Sequence, residues 1–267
     1  QQIKHTQKNY YSKNLTLREE ENIIRDYRKS KKRLLLLDYD GTLIGFKNRP
    51  TDARPDGELI HILDRLSSNE DNIVYLISGR DKNTLSYWFN DLNIGIIAEH
   101  GVWIKHDGND WKTIFPINND WKKEIKPIMD FFVDRTPGAI LEEKDYSFVW
   151  HYRKVNPTLA HVRVNELKDV LVNFTENLSL GILDGDKVVE IKNLNINKGT
   201  AADMIVKNND TDFILAIGDD LTDEDMFRSL PDDAVSLRVG FTPTYARFNV
   251  KDFVSVRRML NKLKDIE

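Results

Sequence analysis

"RLLLLDYDGTL", residues 33–43, runs four leucines directly into Asp38-Tyr39-Asp40 and then Gly41-Thr42. Four apolar residues with nothing polar between them read as a strand buried on both faces, the pattern of a parallel sheet sandwiched by helices. Charge in such a layer is costly unless it is paired or bound to metal. The two aspartates are therefore expected just past the strand's end, in a turn.

The same rhythm extends outward from this strand. Residues 1–16 are polar and unpatterned, and "LREEENIIRDYRKS" (17–30) predicts a short helix capped by Asn14 or Thr16. After the leucines comes "DGELIHILDRLSS", in which Leu59, Ile62, Leu63 and Leu66 fall at helical spacing. Strand-like "NIVYLIS", helical "DKNTLSYWFND" and strand-like "IGIIAEHG" follow. Near Asn118 the order changes to helix-strand-strand, twice over: "NNDWKKEIKPIMDFFVDR", "GAILEE", "YSFVWHYR", then "TLAHVRVNELKDVLVNFTEN", "LSLGILD", "KVVEIK". An Asp-Gly hairpin turn, "LDGDK", joins the last two strands. Trp150 and Tyr152 share one face of their strand and read as core of this insert. From Lys198 the strand-helix alternation returns to the end of the chain. The expected fold is α/β: a doubly wound, Rossmann-like parallel-sheet core (31–116 and 193–267) with an inserted α+β cap of two helix-strand-strand units (117–192).

Composition narrows the function. The 267 residues are 40% hydrophobic and 31% charged, as in a globular protein, and the formal charge of −4 offers no bulk attraction to nucleic acid or an anionic membrane. The sequence has no cysteine, which excludes disulfides and thiolate zinc sites and is compatible with a cytoplasmic setting. No stretch approaches the roughly 18 apolar residues of a membrane span.

Four segments carry chemistry, each at the end of an apolar run or the start of a helix, the edge where open α/β sheets bind ligands. In Asp38-Tyr39-Asp40-Gly41-Thr42, two carboxylates at i and i+2 can share a hard cation and divide nucleophile and acid/base roles. Ser78-Gly79-Arg80 offers a hydroxyl and a bare backbone N–H at a helix start, an anion site or simply an N-cap. Lys198 opens a helix, where it can neutralise both phosphate and carboxylates. "GDDLTDED" (218–225) packs five acids into seven residues from Asp219, a density that wants a cation, and all-oxygen ligands point to Mg²⁺.

In this order, the four segments resemble the haloacid dehalogenase superfamily of phosphotransferases. The resemblance implies Asp38 as nucleophile and Asp40 as general acid/base. Ser78 and Lys198 would hold the phosphate, with Thr42, Gly79 and Arg80 as further substrate contacts. Mg²⁺ would be bound by Asp38, the Asp40 carbonyl and Asp219, supported by Asp220 or Asp223. "LEEKDYSFVWHYR" (141–153), "DKVVEIK" (186–192) and "AEHG" (98–101), taken with "SGR" and "GDDLTDEDMF", resemble more narrowly the trehalose-6-phosphate phosphatases.

That family implies trehalose 6-phosphate as the small-molecule substrate, with Glu142, Lys144 and Glu190 bonding its distal hydroxyls. His100 and His151 are further binding candidates. Some members follow a glycosyltransferase-like domain, and residues 1–30, opening on Gln1-Gln2, are expected to be an extension or the linker from one. The competing expectations are a relative acting on another sugar phosphate, such as sucrose 6-phosphate, or a non-catalytic sugar-phosphate-sensing lobe.

Overall fold

Leu34, Leu35, Leu36 and Leu37 are all fully buried, and they alternate between two cores. This was seen in a computed structural model that describes residues 13–47, 49–106, 110–114, 119–175, 180–185 and 187–266. The elements run β1 (Lys13–Asn14), α1 (Leu17–Lys29), β2 (Arg33–Asp38), α2 (Gly57–Ser67), β3 (Asn72–Ile77), α3 (Lys82–Phe89), β4 (Gly95–Ala98), β5 (Trp103–Lys105) and β6 (Lys112–Thr113). They continue as α4 (Trp121–Asp134), β7 (Ile140–Glu143), β8 (Ser147–His151), α5 (Pro157–Thr175), β9 (Leu180–Gly185) and β10 (Val188–Asn193). The last are α6 (Lys198–Asn208), β11 (Phe213–Gly218), α7 (Leu221–Ser229), β12 (Val235–Val239), β13 (Phe248–Val250) and α8 (Phe253–Leu263).

The chain divides into two compact units, Gln1–Ile114 with Asn197–Glu267, and Phe115–Ile196. In the first, a sheet ordered β1-β13-β12-β11-β2-β3-β4-β5-β6 is parallel from β1 to β4 and antiparallel at β5 and β6. Strands follow β2 outward to β3 and β4 on one side, and β11, β12 and β13 fill the other. The winding thus reverses between β2 and β11, and the carboxyl ends of such neighbours border a crevice. Leu35 and Leu37 pack with α1, α2 and α8 (Ile23, Leu59, Leu63, Leu260) on one face. Leu34 and Leu36 pack with α6 and α7 (Ala202, Ile205, Met226, Phe227) on the other.

The second unit is a four-stranded antiparallel sheet, β7-β8-β10-β9, with α4 and α5 against one face. Trp150 lies fully buried there and Tyr152 packs on it with ring centroids 5.5 Å apart, so the aromatics are core as expected. The register puts Glu142, Val149, Glu190 and Leu183 in one row across the strands. Alternation turns that row away from the helices, since Phe148, Trp150, Val189 and Ile191 face them.

Two features depart from expectation. The edge strands β5 and β6 are too short to announce themselves in sequence. Residues 13–30, part of the segment expected as extension or linker, pack as a docked wall of the first unit. Thr16 caps α1 in a reciprocal capping box with Glu19, and Ile23 and fully buried Tyr27 enter the core. The expected cap boundary at 116–117, residue 186 of the expected hairpin turn and residues 1–12 lie outside the described residues. No helix among the described residues is long and apolar enough to cross a membrane.

Candidate active site

The turn after β2 closes tightly. The N–H of Leu43 donates to the Tyr39 carbonyl at 2.9 Å, and that of Gly41 to the Ile44 carbonyl at 2.8 Å. Gly41 has φ +79°, and a Cβ there would lie 2.1 Å from Asp219 Oδ2, so left-handed backbone and close approach both demand glycine. Arg257 of α8 pins the far side of the turn, donating from Nε to the Leu43 carbonyl at 2.7 Å.

Asp38, at the end of β2, is 3% exposed, and Lys198, the first residue of α6, is 2% exposed. Lys198 Nζ donates to Asp38 Oδ1 at 2.7 Å and to Asp223 Oδ1 at 2.8 Å. The other Asp223 oxygen accepts the N–H groups of Asp219 and Asp220 at 2.9 and 3.0 Å. Gly218 allows this, because a Cβ there would meet the Asp223 carboxyl carbon at 2.2 Å. Asp220 caps α7, accepting the N–H groups of Thr222 and Asp223. Asp219 accepts from the buried Thr42 hydroxyl at 3.3 Å.

Electrostatics follow from burial. It pushes the Asp38 carboxyl up to about 7 against the pull of Lys198. Asp219 rises to about 6 and Asp223 to about 8, by burial and then repulsion from neighbouring aspartates. Burial opposes ionisation of Asp220 too, but the Lys198 charge and the helix-capping bonds hold it at about 2. Lys198 is pushed up by Asp223 and Asp38, which outweigh its own desolvation.

One oxygen each from Asp38, Asp219 and Asp223 falls within a 4.8 Å cluster, and the buried Asp38 Oδ2 has no hydrogen-bond partner. One lysine does not balance these carboxylates. Three clustered carboxylates make an all-oxygen donor set that fits a small hard cation such as Mg²⁺.

The third strand end differs from its sequence reading. Asp81, not Ser78, caps α3, taking the Thr84 N–H at 2.9 Å. Ser78 sits three residues earlier, in the strand-to-helix turn. The Ser78 N–H donates to the Ile97 carbonyl, its own carbonyl accepts from His100, and its hydroxyl accepts the Arg80 N–H. A Cβ at Gly79 would touch the His100 ring at 2.3 Å. Arg80 Nε and Nη2 each donate to one oxygen of Asp40 at 2.7 Å, a bidentate pair. Asp38, Asp40, Gly79, Arg80, His100 and Lys198 line one cavity of about 380 Å³, together with Asp219 and Asp220.

The trehalose-phosphatase family profile matches residues 36–252. The chain belongs to the trehalose-phosphatase family. It is 41% identical over 239 residues to the bifunctional trehalose-6-phosphate synthase/phosphatase of Thermoproteus tenax, covering 90% of this chain and 33% of that protein. It is 34% identical over 231 residues to the trehalose-phosphatase of Saccharomyces cerevisiae, covering 78% and 26%. The chain thus spans about a third or less of the length of these curated relatives. Among solved structures, the C-terminal domain of the C. albicans trehalose-6-phosphate phosphatase aligns with a TM-score of 0.80 at 29% identity, covering 97% of this chain and all of that one.

Within this trehalose-phosphatase fold, the first unit gathers Asp38, Asp40, Thr42, Ser78, Gly79, Arg80, His100, Lys198, Asp219, Asp220 and Asp223 around the crevice. Glu142, Lys144 and Glu190 belong to the second unit. There Glu142 Oε2 lies 2.7 Å from His151 Nε2, which ties one sequence candidate to another. Sequence reasoning missed the supports. Arg238 Nη1 donates to the Asp220 carbonyl and to Glu224, both at 2.7 Å, and Glu224 also accepts the Tyr245 N–H. Nothing local marks Arg238, whereas Glu224 was visible only as one acid among five.

Proposed function

We propose that the chain is a Mg²⁺-dependent phosphatase that hydrolyses trehalose 6-phosphate to trehalose and phosphate through an aspartyl-phosphate on Asp38. The observation that carries this reading is Lys198 buried between Asp38 and Asp223, with Asp38 Oδ2 unbonded in the same site. A carboxylate fixed by one oxygen and bare at the other is oriented for attack on phosphorus. Asp38 and Asp219 are assigned as carboxylate ligands, joined by the Asp40 carbonyl. Asp223 braces the site through Lys198, and Asp220 does so by capping α7. When bound, Mg²⁺ offsets the repulsion between carboxylate and phosphate and stabilises the transferring group.

The chain's own groups do the rest. As Asp38 bonds to phosphorus, Lys198 balances the charge of both, and the Ser78 turn offers a hydroxyl to a phosphate oxygen. Asp40 protonates the departing sugar oxygen, then takes a proton from the water that cleaves the phosphoaspartate. Glu142, Lys144 and Glu190 are assigned to the sugar, since charged groups bond hydroxyls strongly and penalise sugars that lack them. The name of the T. tenax relative supports placing this step beside a trehalose-6-phosphate synthase domain.

The test is phosphate release with Mg²⁺ from trehalose 6-phosphate, sucrose 6-phosphate and glucose 6-phosphate, with EDTA and Asp38→Asn as controls. Preference for trehalose 6-phosphate, lost in both controls, is the expected result. Release from the other esters alone would keep the chemistry and overturn the substrate. No release from any would leave a binding lobe.

A further inference from the structure

We infer that Arg80 is a positioning residue for Asp40, holding the acid/base carboxylate in register rather than binding the phosphate. The inference rests on the reading of Asp40 as acid/base. The two aspartates of the turn need different support. Asp38 is buried at a strand end and gripped by Lys198. Asp40 sits on the turn itself, its side chain one-third exposed at 33%. Such a carboxylate is free to rotate unless something fixes its plane. Arg80 does so with a two-pronged fork, one donor to each oxygen. Every carboxylate oxygen has a second lone pair, so the fork leaves each one a place to give or take a proton.

Arg80 is itself fixed. Its guanidinium lies over the Trp88 ring at 4.7 Å and the Tyr39 ring at 5.6 Å, a shelf suited to a planar cation. The Tyr39 hydroxyl donates to the Ala53 carbonyl at 2.8 Å, and the Tyr39 ring contacts Trp88 and Phe89 with centroids 5.6 and 5.5 Å apart. Aromatic shelf, guanidinium and carboxylate thus form a chain that ends on the group whose aim matters.

In the first step the Asp38–phosphorus bond forms, the ester P–O bond breaks and the Asp40 proton goes to the leaving oxygen. In the second, water attacks phosphorus, its proton passes to Asp40, and the Asp38–phosphorus bond breaks to release phosphate. Arg80 gives up no proton in either step, so its contribution is visible only through Asp40.

A double-mutant cycle of Arg80→Ala and Asp40→Asn tests this, read as leaving-group release in single turnovers with two esters, so that only the first step is timed. Trehalose 6-phosphate has an alcohol leaving group that needs a proton, whereas 2,4-dinitrophenyl phosphate has one that does not. Arg80→Ala is expected to slow the sugar ester about 10- to 100-fold, part of what general acid–base catalysis supplies, and the aryl ester about threefold or less. In the Asp40→Asn background the same change should cost about twofold or less.

Arg80→Lys keeps the charge without the fork and should not restore the rate. Trp88→Ala should give the same leaving-group pattern in smaller degree, and it carries the test if Arg80→Ala fails to fold. Additive losses, or a KM rise shared by both esters with kcat kept, would overturn the inference and make Arg80 a phosphate contact. A wild-type chain inactive on both esters would overturn the proposed function, and this inference with it.

Discussion

The two units place their candidate groups in opposite environments. In the first, Asp38, Lys198 and Asp223 are almost wholly buried, each charge facing a named counter-charge or backbone dipole. In the second, Glu142 is 47% exposed, and its bond is to a histidine that is 38% exposed. A group that must attack phosphorus gains from being dry and immobile, because charges act strongly at low dielectric and need no reorganisation. A group that reads hydroxyls through hydrogen bonds can remain solvated until the sugar arrives. On the proposed reading, chemistry would show as a cost to the fold, and selectivity as an ordinary-looking surface.

The contrast can be broken by experiment. Asp38→Asn should have the largest effect, lowering phosphate release by roughly 10⁴-fold or more, as loss of a nucleophile does. A residual rate near wild type would remove Asp38 from the reaction. Lys198→Met should cost about 3–5 kcal/mol of stability, because it strands two buried carboxylates. Urea unfolding in EDTA measures this, and the same change at exposed Lys123 should be within about 0.5 kcal/mol.

The third prediction concerns pH and metal. Asp38, Asp219 and Asp223 have folded-state values of about 7, 6 and 8, against an ordinary 3.8. An acid raised in the folded state binds its proton more tightly there, so stability is greatest at low pH and falls as pH rises through those values. Asp220, held at about 2, loses its contribution only in stronger acid, outside this window. Thermal midpoints in EDTA should thus drop between about pH 4 and pH 8, and Mg²⁺ should suppress the drop by supplying the missing charge. The smallest effect belongs to the second unit. Glu142→Ala should raise KM for trehalose 6-phosphate about tenfold, spare an aryl phosphate, and leave the thermal midpoint in place.

The same contrast explains what could be read in advance. Unbroken apolar runs announced β2, β3, β4 and β11, because a strand buried on both faces has no polar alternation to blur it. The acids at their ends stood out for the same reason. The loop anchors were not legible. Arg257 meets the Leu43 carbonyl across 214 residues of sequence, and Arg238 reaches Asp220 from another strand. Arg80 entered as a substrate contact by resemblance alone, and its bidentate bond to Asp40 depends on where Trp88 and Tyr39 place their rings. The N-cap alternative for Ser78 fails for a simple reason: Ser78 and Asp81 are both good capping residues, and the strand runs to Ile77 before the chain has room to coil.

The helix α1 has a practical consequence. The family profile begins at residue 36, yet Tyr27 is fully buried, bonds Asn72 through its hydroxyl at 2.9 Å and meets the Phe213 ring edge-on at 5.5 Å. A gene trimmed to the profile match would encode a sheet with one flank stripped, and a chain whose greasy side is open to its neighbours tends to precipitate rather than fold. Anyone shortening this protein for crystals or assays should set the first codon no later than Lys13.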